Sequence, residues 1–129
     1  MALEILHTDH APKAIGPYAQ AIKANGFLFT AGQIPLDPVS MEVVEGGVTE
    51  QTERVLANLG AVLAEAGVTW NDVVKTTCFL TTMDDFQAFN TVYARVFGEA
   101  RPARSTVAVA GLPRNVRVEV ELVAALPSR

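Results

Sequence analysis

Between Val48 and Ala66 the apolar residues Val48, Val55, Leu56, Leu59, Val62, Leu63 and Ala66 recur three or four positions apart, the stripe of an amphipathic helix. Gly46-Gly47 precedes that stripe, Thr49 offers a capping hydroxyl, and Glu50 and Glu53 put negative charge in the opening turn, where the helix dipole favours it. Gly67 supplies the stop. Phe86, Phe89, Tyr93, Val96 and Phe97 define a second helix from Met83 to Phe97, with Asp84 and Asp85 at its acidic start and Gly98 at its end. The β-branched run Val73–Leu80 between the helices predicts a strand.

Tyr18–Ala24 and Phe27–Ala31 read as short strands around Asn25-Gly26, a hairpin signal because both central residues of that turn take positive φ. Ser105–Val109 and Val116–Ala124 alternate apolar with polar positions and are joined by Gly111-Leu112-Pro113-Arg114-Asn115, which is turn chemistry. The order hairpin, helix, strand, helix, strand, strand predicts an α+β fold, a mixed sheet with two helices on one face. The other face is expected to be small and polar near Thr106 and charged near Glu119, and to be either solvated or a subunit interface holding a pocket.

A chain of 129 residues suffices for one domain, 1–129, with residues 1–13 as a short N-terminal segment. The formal charge is −4 and the ten Lys and Arg residues form no run, which disfavours a dedicated nucleic-acid partner. Cys78 is the one cysteine, so no intramolecular disulfide forms and a reducing compartment fits. The first ten residues have neither a basic nor an apolar segment of signal-peptide type, and no apolar run is long enough to span a bilayer. The expectation is a cytoplasmic protein with no membrane partner.

Few residues are equipped for chemistry. His7 and His10, flanking Asp9, are the only histidines and have no partner at ligand spacing, which argues against a metal site and against a histidine-based triad. Cys78 sits in mid-strand without a basic activator, and Gly46-Gly47 lacks the spacing and lysine of a phosphate loop. Arg104, Glu119 and Tyr18 remain. Pro102 stiffens the approach to Arg104, whose planar guanidinium can clamp a carboxylate with two hydrogen bonds. Glu119 lies on the polar side of the last strand and Tyr18 leaves a stiff Ile15-Gly16-Pro17 turn. Together they suggest a small anionic substrate. Singly they fit a surface ion pair, a solvated acid and a sheet aromatic.

Five segments carry a resemblance to a known family: Ala14-Ile15-Gly16-Pro17-Tyr18, Thr30–Pro35, Val74–Leu80, Arg101-Pro102-Ala103-Arg104-Ser105 and Val118-Glu119-Val120-Glu121. In order and spacing, from about Ala14 to Ala124, they resemble the RidA (YjgF-type) family of reactive-intermediate deaminases. That resemblance implies a chorismate-mutase-like fold, a homotrimer with sites between subunits, and hydrolysis of 2-imino acids such as 2-aminoacrylate and 2-iminobutanoate to 2-keto acids and ammonia, with no cofactor. By position, Arg104 would hold the substrate carboxylate, with the Thr106 backbone N–H able to meet it, and Glu119 would position water. Tyr18 would bound the pocket and offer its hydroxyl to the reaction, Asn90 would support the site, and Ala31 would stand in the substrate pocket. Archetypal members carry serine where Ala31 stands and cysteine where Thr106 stands, which bears on substrate preference. A ribonuclease-type translation inhibitor and a non-catalytic, chaperone-like trimer holding a small carboxylate are the alternatives.

Overall fold

A computed structural model describes residues 3–127. Helix α1 spans Val48–Ala66 and α2 spans Phe86–Phe97. Six strands, β1 (Glu4–Leu6), β2 (Ala21–Ala24), β3 (Phe27–Thr30), β4 (Val73–Leu80), β5 (Ala103–Ala108) and β6 (Val118–Ala125), form one mixed sheet in the order β1-β2-β3-β6-β4-β5. The β4–β5 pair is parallel and the other neighbours are antiparallel. The α+β architecture expected from the hydrophobic pattern is the one observed.

Burial follows the predicted alternation. Val118, Val120, Leu122 and Ala124 of β6, and Thr76, Cys78 and Leu80 of β4, point to the same side as the buried stripe Val55, Leu56, Leu59, Val62 and Leu63 of α1. Each large side chain taken out of water there contributes about 1.5–3 kcal/mol. Thr76, the polar member of that row, meets the Tyr93 hydroxyl of α2 at 2.9 Å.

Local chemistry sets the ends of the elements. Asn25 and Gly26 both take positive φ and close the β2–β3 hairpin. Gly67 ends α1 at φ 78°, its N–H reaching the Ala64 carbonyl. Thr49 lies inside α1 and does not cap it. The cap residue is Gly47, whose N–H donates to the Glu50 side chain at 2.8 Å. A 3-10 turn over Met83–Asp85, opened by the Thr82 hydroxyl accepting from the Asp84 N–H at 3.1 Å, precedes α2.

Three other expectations change. Residues 4–6 of the N-terminal segment pair with β2, adding an edge strand that three residues of weak pattern did not announce. Tyr18 precedes its strand, in a turn where its N–H donates to the Gly16 carbonyl at 2.8 Å. The last two strands are not neighbours, because β4 lies between them.

That insertion alters the second sheet face. In the parallel β4–β5 register Arg104 lies beside Thr76 and Thr106 beside Cys78, so both point towards the helices. Val107 points the other way and is exposed. Thr106 therefore does not contribute to the open face. That face instead carries Ile5, Phe29, Val107 and Val123 around Lys75, Glu119 and Glu121. An edge strand need not put its apolar side towards the core, which is why the alternation misled.

Candidate functional site

Arg104 is built into a platform. Its Nη1 donates to Asn90 Oδ1 of α2 at 2.7 Å. The guanidinium carbon stands 4.6 Å from the centre of the Tyr93 ring and 5.6 Å from that of Phe86, within the range of cation–π attraction. Tyr93 is itself fixed, by the Thr76 hydroxyl and by stacking on Phe97 with ring centres 4.2 Å apart. Arg104 is half-buried, and among the described residues no carboxylate lies within ion-pair distance of it. Arg101 joins Arg104, Asn90, Tyr93 and Phe97 around a cleft of about 290 Å³. A cation held rigidly, with donors unused and no acid beside it, is a site for an anion.

Glu119 lies in a different recess, of about 420 Å³, whose walls include Tyr18, Ala31, Gly32, Gln33 and Ile34. Lys13 and Arg114 also border it. Burial, and secondarily the neighbouring charge of Glu121, raises the Glu119 pKa above its ordinary value. A carboxyl raised in this way is better matched to exchanging protons near neutral pH.

The recess wall is pinned from below by Gln20. Its buried amide donates to the carbonyls of Thr8, Ala11 and Pro12 at 3.0, 3.3 and 2.8 Å, and accepts from the Thr8 N–H at 2.8 Å. Residues 8–12 of the N-terminal segment are thereby tied down. On the opposite wall, Gln33 exchanges backbone hydrogen bonds with Val120, carrying the chain past Ala31 and Gly32 alongside β6. Arg114, at φ 57°, donates to the Met41 carbonyl at 2.9 Å.

The six residues singled out in the sequence thus fall into two groups. Arg104 and Asn90 touch, with Thr106 two residues along the same side of β5. Tyr18, Ala31 and Glu119 share the second recess. One protomer does not bring Arg104 and Glu119 together: Arg104 is on the helix side of the sheet, while Glu119, paired across from Phe79, is on the open side. The Thr106 hydroxyl is buried without a hydrogen-bond partner among the described residues. Cys78 is buried and its thiol is pushed up to about 11, chiefly by loss of solvent, so it stays protonated and is no nucleophile.

Gln20, Gly32 and Tyr93 were not picked out in the sequence as site-forming. A glutamine at the start of a strand is a faint signal, and Tyr93 read only as part of an apolar stripe.

The profile of the endoribonuclease L-PSP family matches residues 8–126. A RutC family protein of Synechocystis is 57% identical over 130 residues, covering 99% of this chain and all of its own. The mouse 2-iminobutanoate/2-iminopropanoate deaminase is 45% identical, over 94% of this chain and 90% of its own. The crystal structure of a candidate endoribonuclease from Thermotoga maritima superposes with a TM-score of 0.94 at 54% identity, covering 97% of this chain and 98% of that one. The chain belongs to the endoribonuclease L-PSP family, the RidA (YjgF-type) family that its five motifs resemble.

Proposed function

We propose that this protein hydrolyses small 2-imino acids, of the 2-aminoacrylate and 2-iminobutanoate class, to 2-keto acids and ammonia. The observation that carries the reading is the unneutralised Arg104 guanidinium, fixed by Asn90 and stacked on Tyr93. It is preorganised for a carboxylate before any substrate arrives. The 45% identity to a mouse protein named for this reaction supports the same substrate class.

In the proposed reaction Arg104 holds the substrate carboxylate through two parallel hydrogen bonds. Glu119 removes a proton from a water molecule as its oxygen bonds to the carbon of the protonated imine, giving a neutral carbinolamine. The protonated Glu119 then returns that proton to nitrogen, the C–N bond breaks to release ammonia, and the hydroxyl proton passes back to Glu119 and on to solvent as the carbonyl forms. The Tyr18 hydroxyl and the backbone around Ala31 bound the pocket, and Asn90 and Thr106 support the Arg104 side. No cofactor takes part in these steps. Free imines hydrolyse unaided, so holding the reactants in register accounts for the acceleration required.

Because Arg104 and Glu119 lie on opposite sides of one sheet, the working cleft combines the Arg104 side of one subunit with the Glu119 recess of another, in a homotrimer. Ile5 is 71% exposed, Phe29 46% and Val107 44%, an apolar face that a neighbouring copy would cover.

The family's description as an endoribonuclease favours a second reading, RNA cleavage. The net charge of −4 speaks against it, as does the position of both histidines, exposed near the amino terminus and outside both recesses. A third reading, a non-catalytic carboxylate-binding trimer, would need Arg104 but not Glu119.

Coupling a threonine dehydratase to the purified protein, and following 2-iminobutanoate as its semicarbazone, separates the three. Arg104→Ala is expected to abolish the acceleration and Glu119→Ala to impair it. Full activity in both variants would refute the assignment. Keto-acid binding without imine turnover points to the binding module, and RNA cleavage that vanishes in a site variant points to the ribonuclease.

A further inference from the structure

Just before the Glu119 recess the chain after β3 carries one residue more than its partner strand. From the pair Phe29–Val123 to the pair Gln33–Val120 one side advances four positions and the other three. This is a β-bulge, the kind of irregularity that re-aims side chains beside a site. The Thr30 hydroxyl accepts from the Leu122 N–H at 3.0 Å, and the Ala31 N–H turns away to the Gln20 carbonyl at 2.9 Å.

The bulge sets the Gly32 α-carbon over the Glu119 side chain. A methyl group at position 32 would overlap Glu119 Oε2 and stand 2.8 Å from Cδ and 3.1 Å from Cγ. Positive φ, the usual reason for a glycine, does not apply, since Gly26, Gly46, Gly67 and Gly98 are the glycines that adopt it among the described residues. What position 32 requires is the absence of a side chain. Nor does another group aim the acid: among the described residues its environment consists of burial and the charge of Glu121, without a hydrogen bond.

We propose that Gly32 is the positioning residue for Glu119, the space left by its missing side chain being where the carboxyl sits and from which it faces the recess. This rests on the reading of Glu119 as the proton carrier in imine hydrolysis. A larger residue at position 32 drives the carboxyl outwards into solvent, away from the reacting carbon. Substrate anchoring at Arg104 is left in place.

The test compares Gly32→Ala, Glu119→Asp and the double variant with wild type. Three quantities are read: turnover of 2-iminobutanoate, the carbon-13 titration of the residue-119 carboxyl, and the thermal midpoint. In Gly32→Ala, kcat is expected to fall about tenfold or more, as for a displaced catalytic group, while KM moves much less. Its carboxyl should titrate lower than in wild type, because it regains water. The shorter aspartate retracts from the added methyl, so the double variant should recover thermal stability relative to Gly32→Ala alone.

A folded Gly32→Ala with wild-type kcat and an unmoved carboxyl titration overturns the proposal. If that variant does not fold, a double variant that also fails to fold overturns it, because the methyl then collides with something other than Glu119. Should wild type hydrolyse no imine at all, the deaminase reading falls, while the titration and the stability rescue still decide whether Gly32 places Glu119.

Discussion

Arg104 and Asn90 meet across the sheet–helix boundary at 2.7 Å, and that contact, with the Tyr93 ring beneath, fixes which way the guanidinium points. A hydrogen bond to a charged group contributes about 1.5–3 kcal/mol. Asn90→Ala should therefore raise KM for 2-iminobutanoate about tenfold, with a smaller change in kcat. Arg104→Lys keeps the charge but loses the planar fork and the stacking, and should retain no more than about a tenth of wild-type activity. Steady-state kinetics on the coupled dehydratase system checks both. A KM for Asn90→Ala equal to that of wild type would show that Arg104 needs no such support.

Glu119→Gln should stabilise the fold while disabling the reaction. Burial raises the folded-state pKa of Glu119 above its ordinary value of 4.5, so the folded chain holds that proton more tightly than the unfolded chain does. Stability attributable to this group is then lost as pH rises from about the unfolded value through the folded one. Glutamine imitates the protonated form and escapes the loss. Thermal midpoints should favour Glu119→Gln at pH 7, with the difference closing below the unfolded pKa. Turnover should fall about a hundredfold, in keeping with removal of a general base. A lower midpoint for the variant at pH 7 would mean that the carboxylate is stabilised by contacts rather than strained by burial.

Much of this was legible in the sequence, for reasons that differ by residue. Helix α1 was recoverable end to end because its stripe is long and its stop is a glycine in the left-handed region. Strand β4 was recoverable because β-branched residues fill it. The facing of β5 was not, since an edge strand beside a parallel neighbour can turn Val107 outwards and Arg104 inwards without violating any periodicity. Arg104 and Glu119 were nameable as chemistry. Their separation across the sheet was invisible, because it depends on the registers that set Arg104 beside Thr76 and Glu119 beside Phe79. Gly32 could not be distinguished from a turn glycine, as only the three-dimensional position of Glu119 gives it a purpose.

The open face should be the assembly face. Phe29 and Val107 stand exposed on it beside Lys75, which donates to Ser105 at 3.0 Å. Placing a charge among them, as in Phe29→Lys or Val107→Glu, should shift the light-scattering mass from three copies towards one. Imine hydrolysis should fall with it, since the proposed cleft draws on two subunits. A variant that is monomeric and fully active would place the whole site within one protomer.

Gln20 offers the sharpest link between stability and the recess. One buried amide meets four backbone groups of residues 8–12. Truncation by Gln20→Ala strands those groups, at a cost of about 1–3 kcal/mol for each one left unmet, reduced where the segment can peel away to solvent. A net loss of about 2–4 kcal/mol is expected, seen as a lower midpoint in thermal or urea unfolding. Gln20→Glu separates size from hydrogen bonding: it preserves the volume and can still accept from the Thr8 N–H, but it confronts three carbonyl oxygens with a carboxylate that donates to none. It should therefore destabilise as much as the alanine does at pH 7, and less under acid conditions, where the protonated carboxyl regains one donor. Because Pro12 and Lys13 border the Glu119 recess, both variants should also raise KM. Equal stability of Gln20→Glu and wild type at pH 7 would show that the carbonyls find other partners and that the amide is not what holds the wall.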